Sequence, residues 1–182
     1  YNTSIKSVVI PKTVTTIGAD MFRYSQNLES VTIQGEEVLF KGYRTFSGTN
    51  SLKVLDMSAA KSIKFGSDKD TTYFSNMGSN KSPAIFYVSS SDIMSAVENH
   101  RSTTSPCYLA YAVTNGGTFT DNTTFAANKL PTPVKAGYTF VGWYTNAACT
   151  TGALTKDDNG IYTATGSKDG TVYYAKWQLA NN

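Results

Sequence analysis

The sequence has one histidine, His100, which excludes a multi-histidine metal site and a histidine-rich active centre. It has two cysteines, Cys107 and Cys149, far apart and with no CxxC, a spacing that fits neither zinc nor thiol-redox motifs. Two readings of the pair stay open, unpaired small apolar residues or a single bridge. Charge is scarce, at 16% of residues, with 16 Lys+Arg against 13 Asp+Glu. Residues 1–106 carry 11 basic and 9 acidic groups and residues 107–182 carry 5 and 4, so neither half has the asymmetry of a nucleic-acid binder. The longest unbroken apolar run is the seven residues Cys107 to Val113, far short of a membrane-spanning helix. No Walker A, GxGxxG, GxSxG or HExxH string occurs, and no cofactor or metal is expected.

What remains is apolar and aromatic. Apolar residues reach 40% and aromatics 13%, with 9 Phe, 2 Trp and 12 Tyr, which excludes disorder and favours strands. A chain of 182 residues makes one ordinary domain or two small ones. Tyr1 is not an initiator Met and no signal-like segment opens the chain, so we expect a piece of a larger protein whose targeting and anchoring signals lie elsewhere.

The first half repeats. "SIKSVVI" at 4–10, "NLESVTI" at 27–33 and "SLKVLDM" at 51–57 align, matching Ile5, Leu28 and Leu52, then Val8, Val31 and Leu55, then Ile10, Ile33 and Met57. A parallel series runs through Phe22, Phe46 and Phe74, and short apolar pieces lie between at 14–18, 38–40 and 63–65. "AIFYV" at 84–88 supplies a fourth strand. One such coil cannot bury its own apolar face, but stacked coils can, their strands about 4.8 Å apart. The pattern predicts a solenoid with an aromatic ladder inside. It resembles the BspA-type leucine-rich repeat over residues 1 to about 105. The first unit carries the form most fully: Ile10-Pro11, Val14, Ile17-Gly18, Ala19 to Phe22, then Asn27-Leu28. "AIFYVSSSDIMSAVENH" (84–100) looks like that family's closing strand and short helix, with Ser91-Asp92 as N-cap and Ile93, Val97 and His100 on one face.

From residue 107 the period stops. Strong turn signals appear at Asn115-Gly116, Asn159-Gly160 and Asp169-Gly170. "YTFVGWY" and "TVYYAKW" read as aromatic strands on a small core that takes in Trp143 and Trp177. Gly116-Gly117, Pro131, Pro133, Gly137-Tyr138, Phe140, Gly142-Trp143-Tyr144 and Tyr174-Ala175-Lys176-Trp177 are similar to the Listeria–Bacteroides (internalin-type B) repeat over about 108–178. That resemblance implies a β-grasp-like fold with a crossover near Thr124 to Lys129. The expected architecture is therefore mainly β: a leucine-rich-repeat solenoid with a terminal helix over 1–106, then a small β-grasp-like domain over 107–182. "STTSP" (102–106) reads as a polar hinge between them.

Chemistry is sparse. Asp157-Asp158 and Glu36-Glu37 are neighbours on extended chain or turns, and their carboxylates diverge. Asp68-x-Asp70-x-Thr72 opens like a calcium loop, but Tyr73 and Ser79 stand where Gly and Glu are required. The outward row of the stacked strands reads Val9, Thr32, Asp56 and Tyr87, with Tyr87 expected to be exposed; Thr32, Asp56 and Tyr87 are the candidate ligand-binding residues. A second row, Lys6, Glu29 and Lys53, alternates in sign and predicts a stabilising ladder. The two resemblances imply a non-catalytic bacterial cell-surface or secreted protein that adheres to a host or extracellular-matrix protein through the repeat face, with the second module as spacer. A glycan-binding accessory region of a secreted enzyme, an enzyme with an unrecognised site and a purely structural stalk are the alternatives.

Overall fold

A computed structural model describes residues 4–67 and 69–181. Tyr1, Asn2, Thr3, Asp68 and Asn182 lie outside the described residues. Four coils wind as a β-solenoid. Their first strands are β1 (Ser7–Ile10), β3 (Ser30–Ile33), β5 (Val54–Met57) and β7 (Ala84–Val88). The short pieces between them become β2 (Thr16–Ile17), β4 (Glu37–Phe40) and β6 (Ser62–Phe65), a second parallel sheet in the order β2-β4-β6. Every coil runs the same way round, so all neighbours within both stacks are parallel.

The register is the one the repeat predicts. Val8 pairs Val31, Val31 pairs Leu55 and Leu55 pairs Phe86. Period-2 alternation pins this register, because a one-residue slip would turn Val31 and Ile33 out to solvent. Phe22 stacks on Phe46 with centroids 5.3 Å apart, and Phe46 on Phe74 at 5.8 Å. A second column runs Phe40, Phe65 and then His100, whose ring lies 3.7 Å from that of Phe65. His100 is thus a packing residue that ends an aromatic stack. Its Nδ1 sits 2.8 Å from the Ala96 carbonyl oxygen. It follows helix α1 (Ser91–Glu98), which buries Ile93 and Val97. The helix is capped by Ser90, whose hydroxyl accepts from the Ile93 N–H, one residue earlier than the expected Ser91-Asp92. Among the described residues no helix is long and apolar enough to cross a membrane.

The second module is built onto the same sheet. Its first strand, β8 (Leu109–Val113), pairs in parallel with β7 through five residue pairs from Ala84–Leu109 to Val88–Val113. Beyond it come β12 (Val172–Leu179), parallel to β8, and β10 (Tyr138–Tyr144), antiparallel to β12. One seven-stranded sheet, β1-β3-β5-β7-β8-β12-β10, therefore runs through both halves. A small antiparallel pair, β9 (Lys129–Leu130) and β11 (Tyr162–Thr163), completes the module. Of the residues where a short helical or looped crossover is expected, 124–128 are loop and turn with an isolated bridge from Ala126 to Lys129, and Lys129 opens β9.

The two cores lie on opposite faces of that sheet. The solenoid core fills one face with Val31, Leu55, Phe86, Tyr111 and Val113. The second core covers the other face and unites Val54, Ile85 and Tyr87 of the repeats with Ala110, Trp143 and Tyr173. Trp143 is fully buried, its Nε1–H donating to the Pro131 carbonyl at 3.0 Å. Trp177 is half-buried against Phe140 and donates to the Thr114 carbonyl at 2.8 Å. Gly117 permits this, since a Cβ there would stand 2.4 Å from the Trp177 ring. Both cysteines are free thiols and buried, and burial pushes the Cys107 thiol up to about 11.

Residues 102–106 do not act as the expected hinge. Ser102 is buried, its N–H donates to the Phe74 carbonyl, and its hydroxyl accepts from the Ser105 N–H at 2.9 Å. Arg101, beside it, ties the modules together. It pairs with Glu98 at 3.1 Å and with Asp169 at 2.7 Å, and also donates to the Cys107 carbonyl. Asp169 in turn accepts from the Leu109 N–H, and Tyr111 donates to Glu98. These bonds, with the β7–β8 pairing on either side, tie the connection to both modules.

Candidate binding cleft

The outward row assembles as the sequence places it, with Val9 opposite Thr32, Thr32 opposite Asp56 and Asp56 opposite Tyr87. Exposure along it falls steeply. Val9 is 58% exposed, Thr32 half-buried, Asp56 5% exposed and Tyr87 fully buried. The expectation of an exposed Tyr87 is overturned, and the reason is the shared sheet. The second module folds over the last coils, and residues 118–127 arch back across the face. Phe119 and Phe125 of this arch pack on the Tyr87 ring at 4.8 and 5.3 Å, and the Tyr87 hydroxyl donates to the Lys129 carbonyl at 3.2 Å. The arch is held at one foot by paired backbone bonds between Thr118 and Val134. At its crown the Gln34 side-chain amide donates to Asp121 at 3.3 Å.

Between the arch and the sheet lies a cleft of about 740 Å³. Thr32 and Asp56 form its floor, and Thr120, Asp121 and the Phe119 and Phe125 rings its roof. Its lining reaches Val9 on β1 at the near end, and Tyr87 closes the far end. The alternating row runs along one wall, where Lys53 pairs with Glu29 at 3.3 Å. Both of those side chains are about two-fifths exposed, so the pair adds only about 0.2–1 kcal/mol.

Asp56 is the one carboxylate on the cleft floor. Its Oδ1 accepts from the Ser58 N–H at 2.9 Å. Burial pushes its carboxyl above the ordinary value of 3.8, with the Ser58 hydrogen bonds pulling the other way. The Tyr87 phenol is also driven up, by burial and then by the charge of Asp56. Because the folded chain holds the Asp56 proton more tightly than the unfolded chain, this group's contribution to stability is full below pH 3.8 and is lost as pH rises through its folded value. Asp56→Asn keeps an acceptor for Ser58 and removes the charge. Its melting temperature is expected to match the parent at about pH 3 and exceed it at pH 7, as thermal unfolding at the two pH values would show. A parent more stable than the variant at pH 7 would contradict this.

The other acidic groups gather no chemistry. Asp157 accepts from the Asn159 and Ile161 N–H groups and shapes a turn, and Glu36 pairs with Lys61 on the surface. Asp70 accepts from the Thr72 N–H and hydroxyl, a local turn. Among the described residues, no three of His, Cys, Asp and Glu come together as a metal site would require. The sequence pointed to Thr32 and Asp56, which the cleft brings together, and to Tyr87, which supports the arch instead of lining an open face. It gave no sign of Phe119, Phe125, Asp121 or Gln34. Two Phe inside the polar stretch 118–125 were the one available signal.

A family model described as BspA type leucine rich repeat region (6 copies) matches residues 1–89, and one described as Listeria-Bacteroides repeat domain matches residues 110–176. Repeats of both kinds are typical of bacterial surface or secreted proteins. No curated protein and no solved structure matches the chain.

Proposed function

Since residues 1–89 are a BspA-type leucine-rich-repeat region and residues 110–176 a Listeria–Bacteroides repeat, we propose that the chain is the partner-binding part of a bacterial surface or secreted protein. It works without catalysis and adheres to a host or extracellular-matrix protein through the outer face of its repeat sheet. The second module is a β-grasp-like spacer, a description supported by the parallel pairing of its first and last strands. It also roofs the face. The observation that carries the reading is the cleft, a concave surface of size suited to a ligand, lined by polar side chains and half-buried aromatic rings.

The test is capture of purified extracellular-matrix proteins by the immobilised chain, read by biolayer interferometry, beside a Thr32→Arg variant whose long side chain fills the cleft. Saturable capture by the parent that falls at least roughly tenfold in the variant is expected, a loss of about 1.4 kcal/mol. Capture that is indifferent to Thr32→Arg would move the binding surface elsewhere, and turnover in a hydrolase screen would overturn the non-catalytic assignment.

A further inference from the structure

Asp56 is an unusual group to find at the inner part of a cleft. A carboxylate at 5% exposure is costly unless a cation or several donors stand against it. Neither of its neighbours across the strands, Thr32 and Tyr87, is a cation, and the Tyr87 hydroxyl is turned to Lys129. Of the two lysines in the cleft lining, Lys53 is paired with Glu29 and Lys6 stands before β1, two coils away from Asp56, and neither forms an ion pair with Asp56. Among the described residues the hydrogen bonds to Asp56 come from Ser58, and no ion pair includes it. The site thus holds a desolvated acceptor on a row whose exposure falls from Val9 to Asp56, in a cleft also lined by two half-buried Phe rings.

We propose that this cleft takes a lysine or arginine side chain of the protein partner, its cationic head against the Asp56 carboxylate and its methylene stem under Phe119 and Phe125. The proposal rests on the reading of the repeat face as a protein-binding surface and names the chemistry of its anchor. A long aliphatic stem with a charged tip suits the site because Phe119 and Phe125 lie over it, and of the three carboxylates in its lining Glu29 is paired with Lys53 and Asp121 is bonded to Gln34, which leaves Asp56 without a cation. Phe faces attract cations as well. A partner's cation supplies what the fold leaves out, and bringing it in offsets the cost of holding the carboxylate out of water. A neutral sugar would bring hydroxyl donors, which Ser58 already supplies, but no charge, so a carboxylate without a counter-ion favours the cation.

The experiment uses the full chain, labelled with nitrogen-15, and two synthetic pentapeptides, acetyl-Gly-Gly-Lys-Gly-Gly-amide and the same peptide with norleucine for Lys. The Lys peptide is expected to shift the Thr32, Asp56 and Ser58 amide signals saturably. The norleucine peptide, or the Lys peptide added to Asp56→Asn, is expected to bind roughly ten- to a hundredfold more weakly, as loss of a charged hydrogen bond implies. The spectrum of Asp56→Asn away from the cleft shows whether that variant is folded, and Asp56→Glu, which keeps the charge, is expected to retain part of the response. Equal binding of the two peptides, or unchanged binding to Asp56→Asn, overturns the proposal. So does a response in the same signals to neutral oligosaccharides but not to the Lys peptide. If the peptides fail while matrix-protein capture remains sensitive to Thr32→Arg, the cationic anchor is wrong and the binding face stands. If capture is also insensitive to Thr32→Arg, the binding face falls with it.

Discussion

Residues 1–106 produced without the rest of the chain are expected to aggregate, or to melt roughly 15 °C or more below the full protein. Removing β8 leaves β7 as an open edge with five residues unpaired, and an apolar parallel edge invites association with other chains. The same cut uncovers Val54, Ile85 and Tyr87, each now at most 1% exposed. Each large apolar side chain returned to water forfeits about 1.5–3 kcal/mol. Several kilocalories per mole are thus lost from a fragment of about a hundred residues, where one shifts the midpoint by about 4–8 °C. Soluble yield, light scattering and a circular-dichroism melt would report the outcome. A monodisperse fragment that melts with the parent would mean that the shared sheet contributes little.

Tyr87→Ala is expected to destabilise the full chain by about 3–5 kcal/mol, the range for truncating a large buried aromatic. Its ring touches both Phe residues of the arch and lies 6.3 Å from Trp143, so the cavity opens where the two modules meet. Tyr87→Phe keeps those contacts and gives up only the bond to the Lys129 carbonyl, about 0.5–1.5 kcal/mol. Urea unfolding followed by tryptophan fluorescence would separate the two, because Trp143 is a neighbour of the altered site. Equal losses for both variants would show that the ring packing is not what holds the arch.

How much of this could be read from the residues depends on which faces of a strand are covered. Segments 4–10, 27–33 and 51–57 each have one face in the solenoid core, so their alternation fixes both strand and register, and Val8, Val31 and Leu55 fall into line. "AIFYV" and "YLAYAV" do not alternate. An unbroken apolar run is the mark of a strand buried on both faces, and the two runs are indeed adjacent central strands, but neither one names its neighbour. That is why Tyr87 could be placed in the right row and still be given the wrong exposure. Asp56 points outward as its position requires, and its burial comes from residues more than sixty positions later that no local pattern connects to it. Asp169 reads as a turn residue beside Gly170, and only the folded corner reveals it as a partner of Arg101.

The parallel pairing of β8 with β12 has a mechanical consequence. The second module is entered through β8 and left through β12, so tension along the chain pulls these two neighbours from opposite ends. Their hydrogen bonds are loaded in shear and must give way together, whereas strands pulled from the same end peel apart one bond at a time. A pull applied through the two ends of this module would therefore meet a stiff arrangement of backbone bonds.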